Sequence, residues 1–387
     1  MRLRVLPPVG EPISLGPRAE PPTFPGFHPV WTQSGTAALA LGIQLAMDRR
    51  PDIRYPEVLL PAYGCPDLVA AAVYAGARPV LVDIGVEDPG YDLECLEQAL
   101  SGNVVAVVAV NFLGIRERIE ALAELAHHHD AWLIEDSAQW YPELAPGEKN
   151  SLSPADAMVL SFGRGKPVSL LGGGALLLKD SAMAGETESR LRPPTSKPGM
   201  LFSKMMVYNL LIKPIFYAWL TRIPGLGLGE TRYKPVAGIH RMDASRLVLL
   251  KANAERYFRK NRLQETALAK AFTESSVDSV DLPCVLPARS GRLLRYPVLC
   301  RDQSERNRIL KEATEQGLGA TAMYVNALPD VTGVKPHLYK YDAVPNARSF
   351  AARLITMPVH CQVTEADTRM LACLLPLPLG QNRRERI

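Results

Sequence analysis

From residue 32 onward the apolar positions follow a repeating rhythm. Residues 36–47 (TAALALGIQLAM) are apolar on nearly every side, which predicts a buried helix. Short apolar blocks at 57–62 and 79–84 read as strands, and 66–75 and 91–100 as helices. Residues 103–110 (NVVAVVAV) form an unbroken β-branched run, as expected of a central parallel strand covered on both faces. Residues 116–129 gather Ile119, Leu122 and Ala126 on one helical face, and 131–136 and 157–162 are strands again. This alternation predicts an α/β fold: a three-layer large domain with a mainly parallel sheet. A long helix from about Asp243, a strand near 295–299, a helix over 304–316 and a last helix from Thr364 predict a smaller C-terminal α+β domain.

Residues 1–30 hold eight prolines and little periodicity, and read as an extended arm. The expected division is therefore an arm at 1–30, a large domain at 31–245 and a small domain at 246–387. Residues 1–10 contain two prolines in a row and no apolar core, so no signal peptide is expected. One stretch breaks the pattern. Residues 201–220 (LFSKMMVYNLLIKPIFYAWL) are long enough to span a bilayer, yet Lys204, Asn209 and Lys213-Pro214 interrupt them. A lysine at mid-membrane costs about 2.5–3.5 kcal/mol, and proline breaks the helical ladder, so spanning is not expected. The segment is expected to be shielded in a dimer interface or over the active-site mouth; peripheral contact with a membrane is the other reading.

With 44 basic and 40 acidic side chains, the net charge of +4 points to no particular partner. The window 241–270 leans basic, eight Lys/Arg against three Asp/Glu, and reads as a solvated helix face rather than a nucleic-acid site. The six cysteines (65, 95, 284, 300, 361 and 373) are scattered without a C-x-x-C pair. Reduced thiols in a cytoplasmic setting are expected, with no disulfide framework. His127-His128-His129 lacks acidic or cysteine partners at ligand spacing, so no metal site is expected.

The candidate chemistry lies in two places. Ser161-Phe162-Gly163-Arg164-Gly165-Lys166 puts a lysine in a loop after a strand end, and an earlier buried strand closes on Glu135-Asp136-Ser137-Ala138-Gln139. Ligands of an open parallel sheet sit beyond the carboxyl ends of its strands, so Asp136 and Ser161 both reach that rim. A pyridoxal phosphate enzyme needs such a pair: a lysine to hold the cofactor covalently, and a carboxylate to keep the pyridinium nitrogen protonated. Ser34-Gly35-Thr36 opens the buried helix. Its first N–H groups and dipole suit a phosphate, although the same tripeptide is also an ordinary N-cap.

Six ordered motifs resemble the DegT/StrS family of sugar aminotransferases, within the fold-type I pyridoxal phosphate enzymes. They are SGTAAL (34–39), LLPAY (59–63), AGARPVLVDI (75–84), VNFLG (110–114), IEDSAQ (134–139) and SFGRGK (161–166). GGGALLL (172–178) and LITMPVHCQVTEAD (354–367) extend the likeness. The resemblance implies Lys166 as catalytic and cofactor-bearing lysine, Asp136 as pyridinium partner and Gln139 beside the ring's phenolic oxygen. It implies Gly35, Thr36 and Ser161 as phosphate holders. It further implies a homodimer moving an amino group, from glutamate by analogy, to a nucleotide-linked keto sugar in polysaccharide or glycoconjugate synthesis. A lyase or dehydratase on the same fold, or a catalytically silent scaffold, are the alternatives. Two departures stand out. Cys65 occupies the place of the family's ring-stacking aromatic, with Tyr63 as the nearby substitute, and Ile239-His240-Arg241-Met242 lacks the asparagine that reaches a partner subunit's phosphate.

Overall fold

The structure is a computed structural model that describes residues 3–142, 153–195, 198–223, 231–273, 279–341 and 343–374. Strand β1 (His28–Thr32) precedes helix α1 (Gly35–Asp48), and then strands and helices alternate: β2 (Glu57–Pro61), α2 (Asp67–Ala75), β3 (Arg78–Val82) and α3 (Leu93–Ala99). The series continues with β4 (Val104–Val110), α4 (Ile119–His128), β5 (Trp132–Asp136), β6 (Ala157–Ser161) and β7 (Gly174–Leu178). Helices α5 (Ser181–Ser189), α6 (Pro198–Leu211), α7 (Pro214–Leu220) and α8 (Ala244–Arg259) come next. The rest contributes β8 (Val280–Asp281), β9 (Tyr296–Leu299), β10 (Lys340–Tyr341) and β11 (Leu354–Met357), with helices Gln303–Gln316, Pro345–Arg353 and Glu365–Cys373 among them.

Eight strands form one sheet in the order β1-β7-β6-β5-β4-β2-β3-β10, and β11-β9-β8 form a second, antiparallel sheet. The large sheet is parallel from β6 through β10 and antiparallel only where β7 meets β6 and β1. The β4 run is buried from Val104 to Ala109, as a strand covered on both faces must be. Helix α1 is packed on α2 and against the strands, its Ala37–Leu41 run wholly inside.

Element ends follow capping chemistry more closely than the apolar pattern did. Asp92 caps α3 through Cys95 N–H, so the helix starts after Tyr91, whose fully buried hydroxyl sits 2.7 Å from Val108 O. Helix α4 starts at Ile119, later than the apolar pattern suggested, and Arg116 N–H ahead of it donates to Arg289 O at 2.8 Å. Asp243 caps α8, and Thr364 forms a capping box with Asp367. The arm is shorter than expected. Residues 28–32 belong to β1, where Pro29 lies opposite Leu177 on an edge strand that tolerates a missing N–H.

The 201–220 segment folds as two helices. Lys213 stands at the N-cap position of α7 without a capping side-chain bond, and Pro214 is the first residue, where the absent N–H costs nothing. Leu201 and Met205 sink into a cluster with Met158, Leu160, Leu177 and Leu249, whereas Met206, Phe216 and Trp219 stay exposed. Among the described residues no helix is long and apolar enough to cross a membrane.

Candidate active site

Strand β5 separates two neighbouring carboxylates by its pleat, since successive side chains point to opposite faces. Glu135 is wholly buried and spends its oxygens on Asn111 Nδ2 (2.7 Å), Arg116 Nε (3.3 Å) and the Ser153 hydroxyl. Asp136 turns the other way, into a cleft at the carboxyl ends of the strands. Its Oδ1 accepts from Ala138 N–H at 2.9 Å, and among the described residues no cationic side chain lies at ion-pair distance. Burial therefore pushes its pKa above the usual carboxylate range. The Ala138 hydrogen bond and the nearby Lys166 charge pull it back, while Asp67 adds to the rise.

Lys166 reaches the same cleft from the loop after β6. That loop is fixed at both ends: Phe162 is fully buried and its N–H binds Gly173 O at 2.8 Å, and Lys166 N–H lies 3.3 Å from Gly163 O. Gly165 has φ +76°, a left-handed conformation that disfavours any side chain, and it hands the chain directly to Lys166. On the third wall stands the N-terminus of α1, capped by Ser34 through Ala37 N–H at 3.1 Å. A Cβ on Gly35 would lie 2.7 Å from Ser161 Cβ, so only glycine lets α1 approach the end of β6.

The structure thus brings Lys166, Asp136, Gln139, Ser161, Gly35 and Thr36 to one cleft, together with Cys65, Asp67 and Phe112. The Gln139 amide is largely committed: its Oε1 accepts from Leu113 N–H (3.1 Å) and its Nε2 donates to Tyr324 Oη (3.0 Å). Asp67 escaped notice in the sequence. It accepts from the Thr36 hydroxyl at 3.1 Å, beside the very helix end where an anion is expected. No local motif marks it; only the packing of α2 beside α1 brings it there.

One expected substitution fails. Tyr63 is buried away from the cleft, its hydroxyl donating to Tyr324 O at 2.9 Å and its ring packed on Phe112, Tyr324 and Phe350 at 5.0–5.8 Å. Strand β2 ends at Pro61, so the strand period that would put residues 63 and 65 on one side no longer holds there, and the two side chains part. Cys65 does line the cleft, and burial with the Asp67 charge pushes its thiol up to about 12, so it stays protonated at neutral pH. Ile239, where the family asparagine was sought, is packed into the core of this chain.

Residues 27–213 match the model of the DegT/DnrJ/EryC1/StrS aminotransferase family. That match spans just under half of the chain. Over 158 residues the chain is 32% identical to the dTDP-3-amino-3,4,6-trideoxy-alpha-D-glucose transaminase of Micromonospora megalomicea subsp. nigra, covering 41% of each chain. Over 152 residues it is 29% identical to the UDP-2-acetamido-2-deoxy-3-oxo-D-glucuronate aminotransferase of Pseudomonas aeruginosa, covering 39% of this chain and 41% of that one. The chain thus matches about two fifths of the length of these curated relatives. A DegT DnrJ EryC1 StrS aminotransferase from Brucella abortus shares the fold, with a TM-score of 0.66 at 19% identity over 90% of this chain and 84% of that one.

The cleft suits the cofactor that the sequence implies. A buried carboxylate short of a cationic partner invites a protonated ring nitrogen, and Lys166 lines the same cleft. The cleft holds about 530 Å³ of empty space, a figure that includes its opening to solvent. Gly35 at the N-terminus of α1 and Ser161 at the end of β6 both line this cleft.

Proposed function

We propose that the protein is a pyridoxal phosphate-dependent aminotransferase that moves an amino group from an amino acid, glutamate by analogy, to a keto sugar carried on a nucleotide. The observation that carries this reading is Asp136: a buried carboxylate with no cation at ion-pair distance among the described residues, facing the cleft that Lys166 enters. Both curated relatives are named as transaminases of nucleotide-linked sugars, which supports the substrate class.

Bound in the cleft, pyridoxal phosphate would supply a sink for the electron pair released when a Cα–H bond breaks. Asp136 would hold a proton at the ring nitrogen, an arrangement that its desolvated setting strengthens. Lys166 Nζ would take the proton from the donor's Cα and return it on the cofactor side, acting as base and then acid. Gln139, already oriented by Leu113 and Tyr324, would support the ring edge. Gly35, Thr36 and Ser161 would hold the phosphate, with Thr36 turning its hydroxyl from Asp67 to do so.

The test is direct. Full-length protein loaded with pyridoxal phosphate and reduced with borohydride should carry one phosphopyridoxyl group, on Lys166, by peptide mass spectrometry. Lys166→Ala should lose the label and the turnover of glutamate with a nucleotide-linked keto sugar while keeping its circular dichroism. A label on another lysine, or none, refutes the assignment.

A further inference from the structure

The outer face of α6 and α7 is unlike the rest of the surface. Eight of the 17 large hydrophobic side chains exposed among the described residues fall within residues 200–223. They include Met206 (63% exposed), Val207, Leu210, Ile215, Phe216 and Trp219 (65% exposed). On α6 the buried Leu201 and Met205 face the protein, as does Ile212 just past its end, and 206, 207 and 210 face away, so the helix is apolar on both sides. A helix that meets water on its outer side should be polar there.

This face is also held in place. Asn209 clamps the arm with two hydrogen bonds, accepting from Ile13 N–H at 2.7 Å and donating to Ile13 O at 2.8 Å. Val5 N–H binds Pro214 O at 3.0 Å, and Gln362 Nε2 reaches Ile212 O at 3.1 Å. The turn at Lys213-Pro214 therefore sets the two helices as one fixed apolar surface rather than two loose ones.

Charge identifies the occupant. Residues 190–229 contain six Lys/Arg and no Asp/Glu, in a chain otherwise near balance with 44 basic and 40 acidic residues. Lys204, Lys213 and Arg222 are exposed around the apolar side chains, and Arg222 lies over the Trp219 ring at 5.4 Å. A second copy docked here about a two-fold axis would bring Lys204 and Lys213 toward their own images. An anionic bilayer answers both features: aromatic and aliphatic groups enter the headgroup–acyl boundary, and long cationic side chains extend to the phosphates.

We propose that the outer face of α6 and α7 docks on an anionic lipid bilayer without crossing it. Helix α6 is shared with the cleft region, because Tyr208 on its inner side lines a cavity with Lys166, Glu11, Tyr257 and His360. Docking thereby brings the catalytic neighbourhood close to the lipid surface. The proposal stands apart from the aminotransferase reading and does not need it.

The experiment is flotation of the full chain with vesicles of phosphatidylcholine alone or mixed with phosphatidylglycerol. The protein should float with mixed vesicles, less with phosphatidylcholine, and less at high salt. Phe216→Ser/Trp219→Ser should lower binding at least about tenfold through the lost apolar contact. Lys204→Gln and Lys213→Gln should each lower binding to the mixed vesicles about fivefold. These two lysines are exposed, so their variants report even if the aromatic pair fails to fold. Protein that stays unbound with both vesicles overturns the proposal, as does undiminished flotation of these variants. If Phe216→Ser/Trp219→Ser instead turns a dimer into a monomer while the parent ignores vesicles, the face is an interface between copies and the proposal falls.

Discussion

Gly35→Ala tests whether the close approach of α1 to β6 shapes the anion end of the cleft. The new Cβ would stand 2.7 Å from Ser161 Cβ and 3.0 Å from Ser161 Oγ. Comfortable carbon contacts are roughly 3.5–4.0 Å, so the shortfall is about 1 Å. Relief by rotation is blocked, because the nearest atom is a Cβ on a strand paired with Gly174, not the tip of a flexible chain. Overpacking of this kind costs roughly 1–3 kcal/mol, which urea unfolding of the cofactor-free protein should show as a lower midpoint at unchanged slope. Displacement of the α1 N-terminus should also weaken pyridoxal phosphate binding, read by titration. Ser161→Gly removes the obstructing Cβ and leaves Ser161 Cα, at 3.4 Å, as the nearest atom. The double variant should recover most of the lost stability, a coupling of about 1–2 kcal/mol in the favourable direction. Gly102→Ala, with nothing within 4 Å, is the control and should be nearly neutral. If Gly35→Ala is as stable as the parent, or Ser161→Gly rescues nothing, the steric argument is wrong.

Two further expectations concern buried titratable groups. The Asp136 carboxyl is raised above 3.8, so in the interval above that value the folded state binds more protons than the unfolded one and stability falls as pH rises. Asp136→Asn should therefore gain stability over the cofactor-free parent between acid and neutral pH, yet lose turnover by about one to three orders of magnitude; equal turnover refutes its pairing role. His360 is the opposite case. Its ring sits 2.8 Å from Pro7 O and burial lowers its pKa to about 4. The unfolded chain then takes up the proton first, and stability should drop as pH falls from 6.5 toward 4, by on the order of 3 kcal/mol in total. His360→Gln should flatten that acid limb in urea titrations at stepped pH, and an unchanged limb counts against the assignment.

The central sheet was legible because its strands are short, apolar and separated by helical periodicity; β4 alone announces a strand covered on both faces. Strand β1 was not, since Pro29 reads as a breaker until an edge position makes its missing N–H harmless. The site residues on one rim were legible from order and spacing, because a parallel sheet collects the ends of its strands. Asp67 was hidden, as its place beside Thr36 depends on how α2 lies against α1. Tyr63 misled for the opposite reason: two residues of separation look interchangeable in sequence, yet one ring enters the Phe112–Tyr324–Phe350 cluster and the other side chain faces the cleft. The apolar 201–220 stretch gave away its break at Lys213-Pro214 but not which of its sides would be covered.

The last strand of the large sheet carries a consequence for how the chain can be divided. Strand β10 lies far along the sequence, yet Lys340 and Tyr341 pair with Val80 and Leu81, and Tyr339 N–H reaches Pro79 O at 3.0 Å. Without them β3 would be an open edge, a row of free N–H and C=O groups ready to template another chain. A strand of two residues, one a lysine, closes that edge while offering almost nothing to the next molecule. A fragment ending after residue 245 would keep every parallel strand but this guard. The sheet is thus finished by residues that arrive only after the second sheet has begun, and resistance to edge-to-edge aggregation belongs to the whole chain rather than to its first part.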